Sequence, residues 1–298
     1  MAIPKKLTTK PECSAFIENF NTFLFDCDGV LWDGDQILPG VREVLEFLRS
    51  KGKRIIFVTN NSTKSRTAYK AKFNKLQIDV STEEIFGSSY ASAVWLRKVA
   101  KFPADKKVYI IGQSGIEEEL ASEGIQYCGA GEDNENVADM SFKDIIPDPQ
   151  IGAVLCGFDL HINYKKYAKA FTYIRSNPEC YFLLTNNDTT YPANGTIFPG
   201  TGSIVSPLIT SLNRQPDAVL GKPNQSMMDC IKAKYDIDPQ TTCMVGDRID
   251  TDIQFGINGG LSTLLVLSGV TTQSELEHSE ILPNYYINSL GDLSIAIQ

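Results

Sequence analysis

The chain lacks any run of about 18 apolar residues, so no membrane-spanning helix is expected. Its start, Met1-Ala2-Ile3-Pro4-Lys5-Lys6, has no hydrophobic signal region and is not rich in arginine, so no targeting leader is expected there. Basic excess is missing too: the net charge is -8 and the pI about 4.9, which argues against nucleic acid as the main partner. No Cys-x-x-Cys occurs among the seven cysteines, which are odd in number and scattered at 13, 27, 128, 156, 180, 230 and 243. That pattern reads as reduced thiols, with the cytoplasm as the expected location and the nucleus also open, rather than a disulfide framework. Histidine is scarce, with His161 and His278 far apart, so paired-histidine chemistry is not expected. A Cys-x5-Arg loop is absent, and Gly221-Lys222 is followed by Pro223, which breaks a Walker A pattern. Short-period repeats and low-complexity tracts are also missing.

What remains is an ordinary soluble composition, 298 residues with 42% hydrophobic and 21% charged. That length is enough for one large domain or two ordinary ones with a substantial core. Short apolar runs alternate with amphipathic stretches. Strand-like runs lie at 22–25, 54–58, 107–111, 152–156, 180–184, 218–220, 242–245 and 261–267. Helical spacing appears at 41–50, 65–76, 115–123, 164–176 and 226–234. In 164–176 the apolar spacing puts Tyr164, Tyr167, Phe171 and Ile174 on one buried face. The strand runs show no in-out alternation, so they predict a parallel sheet covered on both faces, an α/β doubly wound fold. The acidic segment 129–150 reads as a surface excursion.

Polar clusters directly follow four of the apolar runs. They are Asp26 and Asp28 after the first, Thr59-Asn60-Asn61 after the second, Lys222 after the run ending at Leu220, and Asp247 after the run ending at Val245. Ligands of open parallel sheets bind outside the carboxyl ends of the strands. Each cluster alone has a bland reading as a turn, a helix cap or a loop lysine. Four in order at strand ends point to one site. A carboxylate such as Asp26 can attack phosphorus and divide a hard step into two. Asp28, two residues on, lies on the same side of an extended chain and can move protons. Carboxylates crowded against a phosphate need a cation, and Mg²⁺ prefers oxygen ligands. Asp247 and Asp252 can supply the remaining charge, while Thr59, Lys222 and backbone amides near Gly29 can face phosphoryl oxygens. Cys27 alternates away from both aspartates and reads as a packed thiol, with a redox switch as the sharper alternative.

Asp26-Cys27-Asp28-Gly29-Val30-Leu31-Trp32, Thr59-Asn60-Asn61-Ser62, Gly221-Lys222-Pro223 and Gly246-Asp247-Arg248 through Asp252-Ile253 resemble the haloacid dehalogenase superfamily. The likeness extends to the branch of p-nitrophenylphosphatases, with phosphoglycolate and pyridoxal phosphate phosphatases, and includes Gly157-Phe158-Asp159 and Pro199-Gly200-Thr201-Gly202. It implies a Rossmann-like core, residues 1–100 and 207–298, with an inserted α/β cap over 101–206, which in relatives often forms the homodimer contact. It implies Asp26 as nucleophile and Mg²⁺ ligand, and Asp28 as acid/base with its carbonyl on the metal. Asp247 becomes a ligand with Asp252 behind it. Thr59 and Lys222 grip the phosphoryl group, with Asn60 and Asn61 close by. The implied activity is hydrolysis of small phosphorylated metabolites. In pyridoxal phosphate phosphatase a histidine stands where this chain has Tyr191, which favours a small acid such as phosphoglycolate and marks Tyr191 as a substrate contact. Pyridoxal phosphate phosphatase, nucleotidase, protein phosphatase and an idle metabolite-binding protein remain as alternatives on the same fold.

Overall fold

A computed structural model describes residues 4–135, 142–193 and 196–297. Its largest sheet has seven strands, all parallel. From one edge they run Lys5–Lys6, Tyr285–Ile287, Ser262–Val266, Thr242–Gly246, Thr22–Phe25, Arg54–Thr59 and Ile85–Gly87. The chain leaves Thr22–Phe25 toward one edge and, much later, leaves Thr242–Gly246 toward the other. The strand order therefore reverses between these two neighbours, which opens a crevice at their carboxyl ends.

A second parallel sheet runs Ala218–Val219, Tyr181–Leu184, Ile151–Cys156, Lys107–Ile111, Gln126–Gly129. The helix Thr201–Leu212 and the strand Ala218–Val219 carry this layer past position 206. An antiparallel hairpin, Thr190–Ala193 with Thr196–Pro199, extends from it. Of the acidic excursion, Ala130–Asp133 and Phe142–Asp144 form short turns, while 136–141 lie outside the described residues.

Period-two alternation explains how the layers join. Phe23, Phe25, Ile55, Phe57, Cys243 and Val245 enter one buried cluster, and their neighbours Leu24, Ile56, Val58 and Met244 point the other way. That second cluster also contains Val108, Ile110, Ala153, Leu155 and Leu183 of the other sheet. Helices Ser88–Val94 and Gln225–Lys234 fill the space between. Burying side chains of this size contributes about 1.5–3 kcal/mol each, so the two layers share one core. Arg66 and Glu119 add an ion pair across it at 2.9 Å.

The expected helices at 41–50 and 164–176 form at those bounds. In the latter, the buried line is Lys166, Ala170 and Ile174, and Tyr164 is exposed. Lys166 can be inside because its Nζ meets Asp159 and Asn134, each at 2.6 Å. Ile174 is buried and Tyr167 and Phe171 pack against its cluster as expected, so the departures are Tyr164 in solvent and a buried ammonium that its oxygen partners make tolerable. Among the described residues no helix is long and apolar enough to cross a membrane.

Candidate active site

Asp26 directly follows Thr22–Phe25, Thr59 ends Arg54–Thr59, and Asp247 directly follows Thr242–Gly246. Three expected clusters thus meet at the reversal point of the large sheet. Lys222 arrives differently. Its preceding strand, Ala218–Val219, pairs with Leu183–Leu184 in the second sheet, not in the first as its apolar character suggested. A short parallel strand carries no local mark of which sheet it will join. Lys222 nevertheless reaches the same point. A cavity of about 140 Å³ is lined by Asp26, Asp28, Thr59, Asn60, Asn61, Tyr191, Lys222, Asp247 and Asp252 together. A larger hollow of about 620 Å³ beside Phe102 and Tyr181 collects no such set.

Lys222 is the electrostatic centre. Its Nζ lies 2.6 Å from Asp26 Oδ1, 2.7 Å from Asp252 Oδ1 and 2.8 Å from the Val58 carbonyl oxygen. Burial works against its charge, but Asp252 and Asp26 outweigh that and raise its pKa. Burial pushes the Asp26 carboxyl well above the usual range; Lys222 opposes the rise, and Asp252 and Asp247 add to it. Asp247 is pushed up to about 7, first by burial and then by Asp252. Three carboxyl groups share one ammonium, so ionising all three would leave a buried surplus of negative charge.

The surplus has a shape. Single oxygens of Asp26, Asp247 and Asp252 lie within 4.8 Å of one another. Asp252 has both oxygens committed. Oδ2 accepts the backbone N–H groups of Asp247 (3.2 Å) and Arg248 (3.1 Å), and Oδ1 faces Lys222. Asp247 Oδ2 accepts from Val270 N at 2.7 Å. Two glycines make room for it. A Cβ on Gly269 would stand 2.0 Å from Asp247 Oδ2, and one on Gly29, where φ is +80°, would stand 2.5 Å away. An all-oxygen, electron-rich cradle of this kind fits a hard divalent cation such as Mg²⁺.

Other expected residues take distinct places. Asp28 turns outward: its Oδ1 accepts from Trp32 Nε1 at 2.7 Å. Cys27 is fully buried, and burial raises its thiol pKa well above the ordinary value, as for an inert packed thiol. Thr59 is buried and its hydroxyl accepts from Asn61 N at 3.2 Å. Asn61 Oδ1 accepts from Thr63 N and Oγ1. Asn60 spans the two layers. Its Oδ1 accepts Lys222 N at 2.7 Å, and its Nδ2 donates to the Lys222 carbonyl (3.0 Å) and to Asp188 Oδ2 (3.1 Å). Tyr191 packs edge-on against Phe158, with ring centroids 5.0 Å apart. It also borders a neighbouring cavity of about 300 Å³.

Sequence reasoning missed Asp188 and Arg248, which line the same cavity. Burial raises the Asp188 carboxyl while the Asn60 amide opposes the rise. Its partner is 128 residues away, so nothing local marks it. Arg248 pairs with Asp250 at 2.9 Å, and its position beside Asp247 was the available signal.

A doubly wound parallel sheet that gathers aspartates and a buried ammonium at its reversal point defines the class, a phosphatase of the α/β type. Comparisons give the family. The profile of haloacid dehalogenase-like hydrolases matches residues 23–126, and a second, HAD-hydrolase-like, matches 219–293. The 4-nitrophenylphosphatase of Schizosaccharomyces pombe is 48% identical, covering 97% of this chain and 98% of its own. The chloroplastic phosphoglycolate phosphatase 1A of Arabidopsis thaliana is 46% identical, over 97% of this chain and 81% of its own. Among solved structures, the glycerol phosphate phosphatase of Mycobacterium tuberculosis in complex with magnesium superimposes with a TM-score of 0.77 at 27% identity. It covers 93% of this chain and 77% of that one. The chain belongs to the haloacid dehalogenase-like hydrolases, among their phosphoric monoester hydrolases.

Proposed function

We propose that the protein is a Mg²⁺-dependent phosphomonoesterase that hydrolyses small phosphorylated metabolites through an aspartyl-phosphate on Asp26. One observation carries the reading. Asp26 has Oδ1 fixed by Lys222, and its Oδ2 has no hydrogen-bond partner among the described residues, at the point where the sheet order reverses. Oδ2 attacks phosphorus while the ester P–O bond breaks, and Asp28 gives a proton to the departing oxygen. Water then attacks the aspartyl-phosphate, Asp28 takes the proton back, and phosphate leaves with Asp26 restored. Lys222 and Thr59 hold the phosphoryl oxygens, Asn60 ties Lys222 to the second layer, and Asp252 orients Lys222 and the amides of Asp247 and Arg248. Mg²⁺, held by Asp26, Asp247 and the Asp28 carbonyl, supplies positive charge to the transferring group; the relative in complex with magnesium supports this.

The second layer acts as a cap in this reading, with the chain returning to the main layer after Val219. A phosphoglycolate-like substrate is proposed. The small cavity, Arg248 at its wall and the relative named for phosphoglycolate support it. 4-Nitrophenyl phosphate serves as an artificial substrate. The free cysteines support a cytoplasmic location, and exposed Ile197 and Leu160 support a homodimer through the cap. Asp26→Asn tests the core of the proposal. It should abolish phosphate release with the fold intact, and undiminished turnover would refute the nucleophile. A panel of phosphoglycolate, pyridoxal phosphate, nucleoside monophosphates and phosphopeptides, ranked by kcat/KM, tests the substrate.

A further inference from the structure

The two oxygens of the Asp28 carboxyl group have different surroundings. Oδ1 accepts from the Trp32 indole at 2.7 Å and lies 3.7 Å from Lys72 Nζ. Oδ2 has no hydrogen-bond partner among the described residues, and the side chain is 60% exposed at the cavity that also holds Asp26.

The arrangement around Oδ1 is built into the core. The chain folds back after Thr22–Phe25, with Gly29 N donating to the Trp32 carbonyl at 2.8 Å. This return brings the indole alongside Asp28. Trp32 is fully buried and packs edge-on against Phe73, centroids 4.9 Å apart. Phe73 and Lys72 are neighbours on the helix Arg66–Lys75, so one helix supplies both the ring that fixes Trp32 and the ammonium above it. Lys72 Nζ lies 4.2 Å from the Trp32 ring centroid, and its side chain is mostly covered. Among the described residues, Asp28 is the carboxylate within ion-pair distance of Lys72; nearby Asp35 is taken by Lys75 at 3.1 Å.

We propose that Trp32 and Lys72 are positioning residues that hold Asp28 Oδ1, so that the proton of the reaction travels on Oδ2. The inference rests on the phosphomonoesterase reading and adds the atom and the residues that select it. An indole N–H and an ammonium can only donate. The oxygen they face is therefore held as an acceptor, because a proton there would point at a donor, weaken the indole hydrogen bond and give up the attraction of the ammonium. A carboxyl proton is therefore favoured on Oδ2, the oxygen with no hydrogen-bond partner among the described residues. The proton passes from Oδ2 to the ester oxygen as the P–O bond breaks. Oδ2 later receives the proton of the attacking water. Lys72 touches neither substrate nor nucleophile and acts through Asp28.

The test uses the full chain and two substrates that differ in their need for a proton. 2-Phosphoglycolate expels an alkoxide, which must be protonated as it leaves; 4-nitrophenyl phosphate expels a stabilised anion. The quantity read is the ratio of kcat/KM for the first over the second, which counts steps only through leaving-group departure. Lys72→Met and Trp32→Phe should each lower this ratio at least about tenfold, within the range of a positioned proton donor. Lys72→Arg should restore most of it. A smaller fall in Lys72→Met, with the wild type active on both substrates, overturns the proposal and leaves the phosphatase reading standing. Lys72→Met alone decides the matter if Trp32→Phe does not fold. A wild type inactive on both substrates removes the phosphatase reading, and this proposal with it.

Discussion

Replacing Lys222 by Met keeps the length of the side chain and removes its charge. Lys222 is 2% exposed, and its ammonium sits 2.6 Å from Asp26 and 2.7 Å from Asp252. Without it these carboxylates and Asp247 face one another with no cation between them. Breaking a buried ion pair from one side costs about 3–5 kcal/mol, because the remaining charge is left uncompensated. The variant should lose that much stability near neutral pH in EDTA, measured by urea unfolding with two optical probes. It should lose less in mild acid, where the crowded carboxylates can take up protons instead. Asp252→Asn alone leaves Lys222 with Asp26 and the Val58 carbonyl, so its loss should be smaller, about 1–3 kcal/mol. The double variant no longer buries the Asp252 charge. Its loss should fall short of the sum of the two single losses by at least about 1 kcal/mol. Single losses that add within about 0.5 kcal/mol would refute the view that Lys222 is held chiefly by these carboxylates.

Two more outcomes follow from the same cradle. Asp247 has its folded-state pKa raised from 3.8 to about 7, so the folded chain binds more protons than the unfolded chain between those values. Its contribution therefore favours the fold at low pH and is lost as pH rises through about 7. Metal-free protein should lose Tm across that window; Asp247→Asn should show a shallower slope, and an equal slope would contradict the assignment. Gly269→Ala places a Cβ 2.0 Å from Asp247 Oδ2, too close for that oxygen to stay where it is. Calorimetric titration with Mg²⁺ should show affinity lower by about 10–100-fold, and unchanged affinity would remove Asp247 from the ligand set.

Much of the fold was legible because strand and helix periods are local properties. The apolar runs at 22–25, 54–58 and 242–245 became adjacent strands of the large sheet. Asp26 and Asp247 follow their strands directly, so the sheet carries them to its edge without further instruction. The helical pattern at 164–176 held for Tyr167, Phe171 and Ile174, but it could not show what partners outside the helix bring in. Lys166 is buried because Asp159 and Asn134 receive it, and Tyr164 is exposed.

The sequence by itself determined which chemical groups exist and which strand end each one follows: Asp26 with Asp28 two residues on, Thr59, Lys222, and Asp247 with Asp252 behind it. Only the tertiary structure decided what each oxygen and nitrogen meets. It sends Lys222 across from the second sheet, turns Asn60 into a tie between Lys222 and Asp188, and commits both oxygens of Asp252. It also separates the two oxygens of Asp28, one against Trp32 and Lys72 and one without a hydrogen-bond partner among the described residues. The reason is physical. Periodicity is written within a few neighbouring residues, but hydrogen bonds and ion pairs depend on distances between segments far apart in the chain, 196 residues for Lys222 and Asp26.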